Sequence, residues 1–332
     1  MVIPGRNCAG TIRACLDAST AILRAENTAL AEIIFVDDAS TDQTAQIVSA
    51  YPVRLLRGNS GGPGATRNIG WRAAQHALVW FVDSDCVPEP HALSRLLPHL
   101  SDPSVGGVGG SYGNEHPHSL LACLIHEEII TRHRRMPVDV NFLGGFNVLY
   151  RREALEAVGG FDECEFNGPG SPGAEDAELA YRIHAAGYRL RFEPESRVGH
   201  HHPTKLIRYL RSQRHHGYWR VFLHLRHRST AGGDAYSGLL DHAQPPLALL
   251  MLASLPTLAW PALRWIAPLT AALLFAAQWP GTLQLIRQSG NWSNLAFAGL
   301  GFIRAIWRGI GMVQGICAYP FRRRPARPEV RP

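Results

Sequence analysis

The stretch Val79-Trp80-Phe81-Val82-Asp83-Ser84-Asp85-Cys86 decides how the chain is read, because four large apolar residues run directly into two acids spaced by one. A continuous apolar run of that length is the pattern of a strand covered on both faces. Side chains alternate along a strand with period two, so Asp83 and Asp85 project the same way at its end. Two carboxylates converging there are hard oxygen ligands of the kind that hold Mg2+ or Mn2+ against a diphosphate.

Upstream, Ile33-Ile34-Phe35-Val36-Asp37-Asp38-Ala39-Ser40-Thr41-Asp42 repeats the design, and Ser40-x-x-Gln43 adds a capping box that starts a helix. In open α/β sheets ligands bind beyond the carboxyl ends of strands, where Asp37 and Asp38 fall. A carboxylate there can accept a hydrogen bond from a base or a ribose, or simply favour a helix N-terminus. Further strands are expected at 53–56, 78–82, 147–150 and 190–192, and helices near 10–25, 42–50, 64–77, 90–99 and 174–186. The alternation predicts an α/β fold, a mostly parallel Rossmann-type sheet flanked by helices.

Between these strands lies Asn59-Ser60-Gly61-Gly62-Pro63-Gly64-Ala65-Thr66-Arg67-Asn68-Ile69-Gly70. It lacks both GxxxxGK[ST] and a full GxGxxG, which disfavours a P-loop NTPase and a dinucleotide site. What remains is a glycine loop opening a helix, with Arg67 placed to contact a nucleotide or pair with a carboxylate. Further on, Glu175 and Asp176 open a helix marked by Leu179 and Ile183, and its dipole favours their ionised forms. An ionised carboxylate aimed at a hydroxyl is a general base, although acids in a first turn also serve helix stability alone. Residues 167–173, with three glycines and two prolines, read as a loop able to cover a substrate. In Val198-Gly199-His200-His201-His202-Pro203, His200 and His202 share a face, and either could complete a metal site with Asp85.

The composition sets the outer bounds. At 332 residues, 46% hydrophobic and 18% charged, the chain is neither disordered nor of low complexity. Six scattered cysteines with no CxxC pair argue against a disulfide scaffold or a cysteine zinc site. No signal-peptide pattern opens the chain, and a first strand this close to Met1 points to a few residues missing before it. The net charge of +6 divides into −7 over residues 1–203 and +13 over 204–332. Arginines of the back half alternate with long apolar runs, which fits a membrane surface and not nucleic acid. Charge-free runs of 21 residues (243–263) and 22 residues (265–286) are each long enough to cross a bilayer core, which takes roughly 20. Arg304 and Arg308 cut 288–321 into shorter runs, as in an interfacial amphipathic helix.

Taken together and in this order, the motifs resemble the family 2 glycosyltransferases of GT-A fold over about residues 1–225. The markers are Ile3-Pro4-x-x-Asn7, Val36 to Asp42, Arg67-Asn68-x-Gly70, Asp83-x-Asp85, the segment Phe146–Asp162 with Arg151-Arg152 and Gly159-Gly160-Phe161-Asp162, and Glu175-Asp176 with Arg182. The resemblance implies a nucleotide site of Pro4, Gly5, Arg6, Asp38, Arg67 and Asp83. It also implies a metal, Mn2+ or Mg2+, on Asp83, Asp85 and His200, with Gly144, Gly145 and Arg182 on the side of the sugar and acceptor. Asp176, with Glu175 beside it, corresponds to the base of an inverting displacement. Arg6 replaces the usual aromatic, and Ala39 stands where glycine is common. The QxxRW signature of processive synthases is absent, since Gln213 is followed by Arg214-His215-His216.

The expected organisation is a catalytic domain (1–225), a basic linker (226–242), a two-span membrane hairpin (243–286) and a basic interfacial segment (287–332). The expected activity moves one sugar from a nucleotide-sugar, a UDP-sugar by the family's habit, to a lipid-linked or cell-envelope glycan acceptor. It would act at the cytoplasmic face of the inner membrane. The rival from another class is a catalytically idle GT-A-like module that recruits partners to the membrane. A nucleotidyltransferase is disfavoured because Lys205 is the sole lysine.

Overall fold

A computed structural model describes residues 1–25, 31–166, 174–228 and 234–321. The loop expected at 167–173 and the arginines beyond 321 lie outside the described residues. One sheet contains β1 (Val2–Gly5), β2 (Ile34–Asp37), β3 (Arg54–Arg57), β4 (Leu78–Val82), β5 (Cys86–Pro88), β6 (Val105–Asn114), β7 (Asp139–Val140), β8 (Asn147–Arg151) and β9 (Arg189–His200). Its order is β3-β2-β1-β4-β8-β6-β9-β5, with β7 on β9. The first four strands run parallel, and Gly5, Asp37 and Arg57 stand in register at their carboxyl ends. Strand β8 enters antiparallel between β4 and β6, so the sheet becomes mixed beyond β4.

The flanking helices are α1 (Ile12–Arg24), α2 (Thr44–Val48), α3 (Pro63–Ala73), α4 (Ala92–Leu96), α5 (Leu120–His133), α6 (Arg152–Val158) and α7 (Glu175–Ala185). Period-two alternation sends Phe35, Trp80 and Val82 into one core with Ile12 and Leu16. Their strand neighbours Ile34, Val36, Val79 and Phe81 enter the opposite core with Trp71, Leu179 and Ile183. Burying each such side chain contributes about 1.5–3 kcal/mol, which is why strands covered on both faces read as unbroken apolar runs.

Beyond the sheet lie α8 (Leu206–Arg226), α9 (Leu239–Ser254), α10 (Ile266–Ala276), α11 (Trp279–Ser289) and α12 (Ala296–Ala318). The helices do not follow the charge-free runs. The first run ends its α-helix at Ser254 and passes into a 3-10 turn at Leu255–Ala259, where Pro256 cannot donate to the helix ladder. Among the described residues, two stretches are long and apolar enough to cross a membrane by length and composition, Ile266–Ser289 and Trp292–Phe321. Helix α12 docks on α8 at backbone contact. A Cβ at Gly311 would stand 1.9 Å from the Arg214 carbonyl oxygen, so only glycine allows the approach. Arg304 of α12 is buried against Glu128 of α5, and the Arg308 Nε–H donates to Gln213 Oε1 of α8 at 2.8 Å.

Candidate active site

The carboxyl ends of β1, β2 and β4 gather the first group. Asp37 and Asp38, adjacent in sequence, are sent to different tasks. Asp37 is fully buried, takes the Ser40 N–H at 3.0 Å and pairs with Arg57 at 3.0 Å. It builds the turn. Asp38 accepts from the Gly62 N–H at 3.2 Å through Oδ2, while its buried Oδ1 has no hydrogen-bond partner. A buried acceptor without a donor costs about 1–3 kcal/mol, so Asp38 is set to receive an N–H or O–H from a ligand. Pro4 and Gly5 lie buried alongside, and Gly5 accepts the Asp38 N–H at 2.8 Å. Arg6 follows them, exposed.

Of the two roles open to Arg67, a nucleotide contact or a carboxylate pair, the structure shows the pair. From the first turns of α3 its guanidinium gives one N–H to Asp83 at 2.7 Å and another to Glu175 at 2.8 Å, with the Phe161 ring 5.5 Å away. Buried and bracketed by carboxylates, it stays fully cationic. A Cβ at Gly145 would come within 3.0 Å of its Nη2, so the loop leading into β8 needs glycine there. Gly145 in turn donates its N–H to Asp176 Oδ2 at 3.1 Å, and the Ala177 N–H reaches Asp176 Oδ1 at 2.8 Å. Gly144 packs against the Phe146 ring next to it. Arg67 is thus the joint between the Asp83 end of β4 and the start of α7.

The two acids of α7 separate by exposure. Glu175 is buried on Arg67, whereas Asp176 is half-buried and open to an incoming group. Burial pushes Glu175 up to about 7, with Arg67 working against the rise. Burial also lifts Asp176 above the usual carboxylate range, with Arg67 and the two N–H donors opposing. At both acids desolvation works against the ionised form that the helix dipole favours.

Asp85 faces His200 across the β5–β9 pair, with His200 Nε2 3.5 Å from Asp85 Oδ2. Burial works against ionisation of Asp85, yet the hydrogen bond and charge of His200 hold its acid strength above normal. The other histidines have different partners. His201 meets His116 at 3.2 Å, and His202 lies behind His200, Nδ1 to Nδ1 at 2.8 Å, which leaves the His200 Nε2 directed at Asp85. Cys86 Sγ joins Asp85 and His200 in a group whose ligand atoms lie within 4.8 Å of one another. Burial, with Asp85 and Asp83 adding to it, holds the Cys86 thiol protonated, so the usable donors are the hard carboxylate and imidazole.

Arg182, expected on the sugar side, and several motif residues hold the fold together. Arg182 faces Glu178 and ties α7 to the end of α6 through the carbonyls of Val158 and Gly160, at 2.6 and 2.7 Å. It does not join the sugar side, because six residues along a helix turn it away from Asp176. Arg151 and Arg152 likewise hold backbone carbonyls, Arg151 those of Val105 and Leu100, Arg152 those of His76 and Ala74. Asn68 clamps Phe161, accepting its N–H and donating to its carbonyl, both at 2.9 Å. One contributor had no sequence signal. Tyr112 of β6 stacks on Phe146 with ring centres 3.5 Å apart and stands 4.7 Å from the His200 ring.

Known proteins resemble the chain in sequence and in fold. The chain is 31% identical over 250 residues to the pre-mycofactocin glycosyltransferase of Mycobacterium tuberculosis, covering 72% of this chain and 50% of that protein. It is 32% identical over 233 residues to the validoxylamine A glucosyltransferase of Streptomyces hygroscopicus, covering 59% and 53%. The chain therefore spans about half the length of these curated relatives. Among solved structures, the mannosyltransferase PcManGT of Pyrobaculum calidifontis, determined with GDP-Man and Mn2+, superposes with a TM-score of 0.58 over 95% of this chain and 86% of that one, at 21% identity. That likeness fixes the GT-A fold. Residues 1–159 match the sequence profile of Glycosyl transferase family 2, and through that domain the chain belongs to this family.

Proposed function

We propose that the chain is an inverting, metal-dependent glycosyltransferase that moves one sugar from a nucleoside diphosphate sugar to a hydroxyl of a lipid-linked or cell-envelope acceptor. The observation that carries the reading is the Arg67 joint. A single buried cation sets Asp83, on the donor side, and the start of α7 with the half-open Asp176 in one frame. Asp38, with its orphan oxygen, and the Pro4–Arg6 turn would receive the base.

Asp85 and His200 are donors of the right hardness for Mn2+ or Mg2+, whereas Asp83, the third expected ligand, gives an oxygen to Arg67 and lies outside that group. Such an ion, when bound, supplies charge neutralisation for a departing diphosphate. The protein's part is proton transfer and alignment. The Asp176 carboxylate takes the proton of the acceptor hydroxyl while that oxygen forms its bond to the anomeric carbon. The bond from that carbon to the diphosphate breaks in the same step, so the nucleoside diphosphate leaves and the configuration inverts. Gly145 and Ala177 hold the Asp176 oxygens through backbone N–H groups, which fixes the direction of attack.

The acceptor reading rests on the C-terminal half. Exposed Trp260, Trp265 and Trp292, at 57, 57 and 72% of their full accessibility, accompany exposed leucines across residues 239–295. Indole rings at that exposure suit a membrane interface, and the basic flanks suit its cytoplasmic face. The test is Asp176→Asn in the full chain, read by release of nucleoside diphosphate from UDP- and GDP-sugars. General-base loss should lower turnover by about 10²–10⁴-fold with thermal stability unchanged. Full turnover in a folded Asp176→Asn protein would remove Asp176 as the base, and no turnover by the wild type with any donor would leave the idle-module reading standing.

A further inference from the structure

Helices α5, α8, α9 and α12 enclose a cavity of about 600 Å³ that none of the motifs above predicts. Its charges do not cancel. Asp241 pairs with Arg132, Glu128 with Arg132 and Arg304, and Asp234 with Arg220. Arg308 lines the same cavity and, among the described residues, meets no carboxylate; its one hydrogen bond goes to the neutral amide of Gln213. The same lining holds two histidines with buried, unpartnered nitrogens, both ring nitrogens of His224 and Nε2 of His242, the rings 4.9 Å apart. One guanidinium outside any ion pair and two imidazoles, each with one N–H to give in its neutral form, are a recognition set for a phosphate group.

The remaining wall has the opposite character. Ile129, Leu225, Met312 and Ile316 line the cavity, and Leu225 and Ile316 are exposed. A polar pole beside an apolar wall fits an amphiphile and not a free anion. The cavity also connects to the site. Tyr236 on its rim touches Phe142, two residues before Gly144, with ring centres 5.7 Å apart. Helix α8 packs Trp219 and Phe222 on Ala177 and Tyr181 of α7, the helix that presents Asp176.

We propose that this cavity binds the phosphate of a lipid phosphate, with Arg308, His224 and His242 around the anion and the hydrocarbon chain along the Leu225–Ile316 wall. The inference rests on the lipid-linked acceptor reading and adds where the acceptor's phosphate is held.

The test is calorimetric binding to the full chain in a maltoside detergent, with hexyl phosphate, hexanol and inorganic phosphate as probes. Hexyl phosphate should bind, and hexanol and inorganic phosphate should each bind at least tenfold more weakly. Arg308→Gln should weaken hexyl phosphate by tenfold or more, and Leu225→Trp, which fills the apolar wall and leaves every charge in place, should do the same. Stabilisation of each variant by nucleoside diphosphate with Mn2+ must stay at the wild-type level. That control shows an intact fold and separates failure here from failure of the transferase reading. Equal binding by wild type and Arg308→Gln, or inorganic phosphate binding as tightly as hexyl phosphate, overturns the proposal.

Discussion

Ala39 has φ +57°, in the left-handed region that a side chain other than glycine enters at a cost of about 1–2 kcal/mol. The residue was legible in sequence as a departure from glycine; that it stores strain was not, because φ is set by the Asp37–Gly58 turn around it. Ala39→Gly relieves that strain and adds unfolded-chain entropy of about 0.4–1 kcal/mol in the other direction. It should raise stability by roughly 0.5 kcal/mol, whereas Ala39→Val should lower it, as chemical denaturation will show. Among the acids, the pair Glu175-Asp176 was visible as a pair, but the division of labour came from burial. Arg67 decides it by occupying Glu175 and leaving Asp176 open. A lysine can reach one of the two carboxylates, not both, since it lacks the planar fork. Arg67→Lys should therefore cost about tenfold or more in kcat/KM, and steady-state kinetics of the purified variant will measure it. An unchanged kcat/KM would remove Arg67 from the account.

At the scale of elements, strands with unbroken apolar runs were legible and β6 was not. Val105–Asn114 holds five glycines, a composition that reads as loop, yet it is a central strand between β8 and β9. The reason lies in its neighbours, since a Cβ on Gly107 would stand 2.4 Å from the Tyr150 ring. Small residues there make room for large ones on the adjacent strand, and one sequence read locally cannot display that exchange. Helices beyond the sheet were legible, but their docking was not, because α12 reads as apolar and is nevertheless tied to α5 by Arg304 on Glu128. Burial opposes ionisation of Glu128, but Arg304 and Arg132 hold it down to about 2, below its ordinary 4.5. A depressed carboxyl contributes stability above the unfolded value and loses it as pH falls toward the folded one. The full chain should lose stability between about pH 5 and 2, and Glu128→Gln should flatten that part of the profile. At pH 7 the same variant should cost about 3 kcal/mol by stranding Arg304 in the interior. A wild-type profile retained in Glu128→Gln would show that the α5–α12 bridge carries no weight.

For the whole molecule, the charge splits into −7 over residues 1–203 and +13 over residues 204–332, the asymmetry behind the proposed membrane attachment. The back half should bring the full chain down with vesicles of phosphatidylcholine and phosphatidylglycerol in sedimentation. High salt should weaken that binding by screening the arginines without abolishing it, because the exposed tryptophans and leucines respond little to ionic strength. Release of all protein by salt alone would mean the attachment is purely electrostatic. The central claim is that Asp38, Asp83 and Asp85 form one donor site completed by a metal. The most direct measurement is thermal stability of detergent-purified protein with UDP, GDP, dTDP and CDP, each with Mn2+ and with EDTA, beside Asp85→Ala. A ligand at 100 times its Kd stabilises by about 2.7 kcal/mol, a readily measured shift in Tm. The account predicts that one diphosphate stabilises the protein, only with Mn2+ present, and that Asp85→Ala loses the effect. Stabilisation that persists in EDTA and in Asp85→Ala, or no stabilisation by any diphosphate, would contradict it.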